Sequence, residues 1–130
     1  MHLKIITHER VVFDEDVDEI YTKGTDGEFG ILKGHVPVMA ALDIGVTKVI
    51  QGKKVKFFTT MGGVLQFKDE EGIILTTTAE CGDEIDVTRA KSALERAKAR
   101  LNESEAEIDA KRAEAALARA MARLKATLNN

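Results

Sequence analysis

Tryptophan is absent, and the 130 residues include one tyrosine, one cysteine and one proline. Each shortage narrows the reading. A lone Cys81 excludes an internal disulfide and fits a reducing compartment. The three histidines, His2, His8 and His35, stand apart without ligand spacing, so no metal centre or acid–base pair is read from them. Aromatics make up 5% and leave the basic stretches without stacking partners, which argues against nucleic acid. The longest clearly apolar run, Val36 to Leu42, is far too short to cross a bilayer as a helix. The first residues, Met-His-Leu-Lys-Ile-Ile-Thr, lack the layout of a signal or transit peptide. Together these shortages predict a soluble protein that stays where it is made, with no catalytic residues and no metal.

What is present is unevenly spread. All ten glycines precede Ile85, whereas thirteen of sixteen alanines and six of seven arginines lie from Ile85 onward. The net charge of −3 divides the same way: residues 1–84 hold nine Lys/Arg against fifteen Asp/Glu, and residues 85–130 hold ten against seven. A basic tail on an acidic body suggests an anionic partner for the tail. We therefore place a boundary at 84/85, with a domain at 1–84 and a second at 85–130.

The first part reads as short strands. Leu3–Thr7, Arg10–Phe13 and Val17–Lys23 are β-rich, and Asp26-Gly27 is a hairpin signal before Phe29–Leu32. Pro37 favours a turn or an edge. Ile44–Ile50 and Val55–Thr60 alternate around Gln51-Gly52-Lys53, and Gly62-Gly63 breaks the pattern before Val64–Phe67. An acidic turn, Asp69–Gly72, leads into Ile73–Thr78 as the last long strand. Eight to ten short strands at this spacing predict an all-β sandwich or barrel.

The second part reads as a helical hairpin. Asp86 is a candidate N-cap. Val87, Ala90, Leu94, Ala97 and Leu101 form one helical stripe, and Ala110, Ala113, Leu117, Met121, Leu124 and Leu128 form another. Asn102-Glu103-Ser104 interrupts them, and Ser104 with Glu107 forms a capping box. Seams of Ala and Leu are thin, which makes this hairpin a candidate for an element that moves. Arg89, Arg96 and Arg100 recur at i, i+7 and i+11, and so do Arg112, Arg119 and Arg123. Such stripes are either solvated faces or a converging anion site, and Arg suits bidentate phosphate contacts.

Gly27-Glu28-Phe29-Gly30-Ile31-Leu32-Lys33-Gly34-His35-Val36-Pro37 resembles the signature of the ε subunit of F-type ATP synthases, and Met61-Gly62-Gly63-Val64-Leu65 fits its later Gly-Gly segment. The order of parts is similar end to end. The resemblance implies a non-catalytic subunit of the rotor stalk in proton-driven ATP synthesis, peripheral on the cytoplasmic face of the bacterial cell membrane. Its implied partners are the γ subunit, the c-ring and the catalytic α/β subunits, and its hairpin would regulate ATP hydrolysis. ATP-binding members of the family have a motif Ile/Leu-Asp-x-x-Arg-Ala, which reads Ile85-Asp86-Val87-Thr88-Arg89-Ala90 here. Glu80, Arg96, Arg119 and Arg123 fall at the family's other nucleotide positions, while Arg100 and Arg112 do not. ATP is thus the implied regulatory ligand, with Mg²⁺ left open. Two alternatives stand beside this reading: an ε subunit whose inhibition ignores ATP, and a free-standing β-sandwich module with oligomerising helices.

Overall fold

The computed structural model describes residues 1–103 and 107–128. Eight strands are followed by two helices: β1 (His2–Ile6), β2 (Val11–Asp16), β3 (Glu19–Gly24), β4 (Gly27–Leu32), β5 (Val38–Gln51), β6 (Lys54–Lys68), β7 (Glu71–Leu75), β8 (Ala79–Cys81), α1 (Val87–Glu103) and α2 (Glu107–Leu128). A single 3-10 turn, Gly82–Glu84, joins β8 to the helices. The expected sandwich and hairpin both form.

The strands hydrogen-bond in the order β2-β1-β7-β6-β5-β3-β4, with β8 also on β6. Among the described residues only β1 and β7 run parallel; every other neighbouring pair is antiparallel. Leu3 and Ile5 near one end of this path, and Ile20 and Ile31 near the other, are all fully buried in one core cluster. The sheet must therefore fold over on itself. Phe13 on β2 and Phe58 on β6, far apart along the path, meet edge-on with ring centroids 5.1 Å apart.

Two strands are longer than the sequence pattern suggests. β5 spans 14 residues and runs on through Asp43, and β6 spans 15 and contains Gly62-Gly63. Those glycines take φ of 78° and 118°, so they bend β6 without ending it. One half of β6, Phe58–Thr60, then pairs with β8, and the other half, Val64–Lys68, pairs with β7. β7 stops at Leu75, so Thr76–Thr78 are not strand and β8 is an additional short one. Two turns behave as expected: Thr25-Asp26 closes the β3–β4 hairpin, and Pro37 precedes β5.

The helices differ more from expectation. α1 continues through Asn102 and Glu103, so the break falls later; Ser104 of the expected capping box lies outside the described residues. Val87 and Met121, assigned to the apolar stripes, are 41% and 56% exposed. Instead α2 is buried on two opposite faces, Ala113/Ala120 and Ala122/Ala126. The first faces α1. The second lies on the sandwich, flanked by ion pairs of Arg123 with Glu80 on β8 and of Lys125 with Glu28 on β4. Alanine permits this close approach on both sides, and α1 in turn rests chiefly on α2.

Candidate functional site

The joint between sandwich and hairpin is built residue by residue. On β8 the Glu80 N–H donates to Oγ1 of the buried Thr59 at 3.0 Å, which fixes Glu80 on β6. The 3-10 turn closes with the Ile85 N–H donating to the Gly82 carbonyl at 3.3 Å. Asp86 then caps α1 as expected: its Oδ1 accepts from the Arg89 N–H at 3.1 Å, and its carbonyl accepts from the Ala90 N–H at 3.0 Å. These bonds place Arg89 on the exposed side of the first turn and bury Ala90 beneath it. From α2, Arg123 reaches back 43 positions, its Nε–H donating to Glu80 Oε1 at 3.0 Å.

A cavity of about 400 Å³ lies at this joint. Glu80, Ile85, Asp86, Arg89, Ala90, Arg96 and Arg123 line it, seven of the eight residues expected to form a site, together with Glu84 and Ala93. Arg119 is not among them. It sits one turn earlier on α2, ~6 Å along the axis, and lines a separate cavity of about 660 Å³ with Arg100 and Arg112. Glu84 and Ala93 escape a motif-based reading. Ala93 was nevertheless signalled by helical spacing, since 86, 89/90, 93 and 96 share one side of α1.

The electrostatics favour an anion beside a polar rim. The cavity has three carboxylates and three guanidiniums. Glu80 is engaged by Arg123, Glu84 lies 3.7 Å from Arg10, and Asp86 is spent on the cap. Among the described residues, Arg89 and Arg96 have no ion-pair partner. Two unneutralised guanidiniums, Arg89 in the first turn of α1 and Arg96 two turns further on, suit phosphate oxygens, while the second oxygens of Glu80 and Asp86 offer acceptors to an amine or hydroxyl. No cluster among the described residues could hold a metal ion, and no described helix is long and apolar enough to cross a membrane.

Two family models match the chain in succession. The ATP synthase delta/epsilon chain β-sandwich domain matches residues 1–82, and the long α-helix domain of the same chain matches residues 83–127. The chain belongs to the ATP synthase delta/epsilon-chain family. Among its relatives, the ATP synthase epsilon chain of Desulforamulus reducens is 46% identical over 100 residues, covering 77% of this chain and 76% of that one. The epsilon chain of Lawsonia intracellularis is 44% identical over 105 residues, covering 81% and 79%. Among solved structures, a chain of the Euglena gracilis mitochondrial ATP synthase OSCP/F1/c-ring assembly superposes with a TM-score of 0.83 at 28% identity, covering 97% of this chain and 79% of that one. As a member of the epsilon-chain group the protein is a non-catalytic stalk subunit of the ATP synthase complex. That membership sets aside the free-standing binding module.

Proposed function

We propose that this epsilon chain senses ATP through its hairpin and so regulates ATP hydrolysis by the complex. The observation supporting this is the meeting of Glu80, Ile85, Asp86, Arg89, Ala90, Arg96 and Arg123 around one cavity, although 43 positions separate Glu80 from Arg123. β8, the joint, α1 and α2 each supply part of it, so the site is complete only while the hairpin lies on the sandwich. A ligand there stabilises the docked hairpin by its differential affinity for that state. ATP is oriented with its adenosine end at Glu80, Ile85, Asp86 and Ala90 and its phosphates toward Arg89, Arg96 and Arg123. Arg119, one turn away and without an ion-pair partner among the described residues, swings in to the end of the phosphate tail. Released, the basic hairpin extends along γ and meets the catalytic subunits, blocking hydrolysis.

In the same reading the sandwich docks on γ and the c-ring, coupling rotor parts in proton-driven synthesis. The subunit is then peripheral on the cytoplasmic face of the bacterial membrane. Calorimetric titration of the isolated chain with ATP and with ADP tests the central step. One site with ATP tighter than ADP is expected. An absence of saturable heat with either nucleotide would leave inhibition independent of ATP as the reading.

A further inference from the structure

α2 lies across β5 and β6, with the nucleotide cavity on its Arg123 flank. A second cavity of about 380 Å³ opens on the opposite flank, closed by Lys125. Its floor is apolar and aromatic: Tyr21 from β3, Phe29 from β4, Val46 from β5 and Phe57 from β6. These side chains are only partly covered, so the cavity is a gap between α2 and the sandwich and not part of the core. Its volume is in the range that holds a small molecule.

The rim decides what kind. Glu28 lies 3.9 Å from Lys125 Nζ and is thereby engaged. Lys48 Nζ stands 5.9 Å from the Tyr21 ring centroid, and among the described residues it has no carboxylate partner. A flat apolar floor beneath an unneutralised ammonium suits a ring bearing one negative charge. We infer that this cavity binds a small aromatic carboxylate, and that its occupation holds α2 on the sandwich. Such a ligand touches strands and helix together, so it binds the docked hairpin and not the released one. The inference is independent of the nucleotide reading, because none of these residues lines the other cavity.

The test is a titration of the full chain, without nucleotide, with 1-naphthoate, followed by amide chemical shifts and hydrogen exchange. Saturable shifts at Tyr21, Phe29, Val46 and Phe57 are expected, with Kd on the order of 1 mM for a ligand of this size. At ten times Kd, exchange of α2 amides should slow about tenfold. Lys48→Met, which keeps the aliphatic stem, should weaken binding about tenfold or more. Lys48→Glu should transfer the preference to 1-naphthylmethylammonium. Equal binding of naphthoate and the ammonium by the parent chain would overturn the proposal. So would shifts that fail to saturate, or α2 exchange that stays unchanged at saturation.

Discussion

Arg123→Ala is the perturbation that separates a nucleotide site from a solvated arginine stripe. In the structure this side chain is 31% exposed, paired with Glu80 at 3.0 Å, and one of three guanidiniums around the cavity at the joint. Two effects of different size follow. Loss of a charge-assisted phosphate contact costs ~1.5–3 kcal/mol, or about one to two decades in ATP affinity. Loss of the Glu80 pair costs the docked hairpin less, about 1 kcal/mol or below, because both partners reach solvent and Glu80 can rehydrate. Calorimetry should therefore show a large fall in affinity while circular dichroism shows the fold intact. Arg119→Ala should lose a similar amount if its side chain swings one turn down α2. Lys111→Ala, whose ammonium pairs with Glu107 at 3.3 Å, removes a cation from α2 without touching the site. It should bind ATP as the parent does. If Arg123→Ala also binds as the parent does, or falls no further than Lys111→Ala, the arginines are only a solvated face.

Three other outcomes are accessible. Gly63→Ala should destabilise the sandwich by about 3 kcal/mol or more, read from chemical denaturation: at φ +118° a new methyl would overlap the Leu75 carbonyl oxygen. A chain ending at residue 84 should still fold, because every member of the large core cluster lies between Leu3 and Ala79; a collapsed, poorly dispersed amide spectrum would contradict this. As the imidazolium, His2 donates from Nε2 to Asp14 and from Nδ1 to Asp16 at 2.7 Å, and these bonds raise its pKa above 6.5. The stability from this staple is then complete below about pH 6.5 and is lost as pH rises through the higher folded-state value. A ring titration by proton resonance at or below 6.5 would show the staple to be absent.

Much of this architecture was legible because it rests on strong local signals. Asp26-Gly27, the Asp86 cap and the acidic turn (which the structure confines to Asp69-Glu70, with Glu71 and Gly72 already in β7) each have chemistry that dictates backbone geometry over a few residues. What escaped depends on distant partners. Gly62-Gly63 ends a strand by propensity, yet β5 and β7 hold its ladder on either side and turn the break into a bend. β8 is three residues long and exists only because Phe58–Thr60 are there to pair with it. The two buried faces of α2 are made of alanine, whose weak apolar signal left Met121 as the apparent stripe. At the candidate site seven of the eight named residues line one cavity: Ile85, Asp86, Arg89 and Ala90 of the motif lie a short, hydrogen-bonded turn from Glu80 on β8, Arg96 follows on α1, and Arg123 joins them from α2. Arg119 was named with them by the resemblance and by its stripe with Arg112 and Arg123, and one helical turn sets it in the neighbouring cavity.

The parallel pairing of β1 with β7 sets the order in which this chain can assemble. Every pair in that ladder joins residues 69 positions apart, from His2 with Glu71 to Ile6 with Leu75. Closing so long a loop must precede any reward from the contacts it makes, so the sandwich belongs among slow-folding topologies. The two helices need only local contacts, and helix formation proceeds on a microsecond scale. The strands α2 rests on, β5 and β6, form a hairpin turned at Gly52-Lys53, so its partner surface comes from near neighbours in the chain, and closure of β1 on β7 is the slow step that completes the core behind that surface.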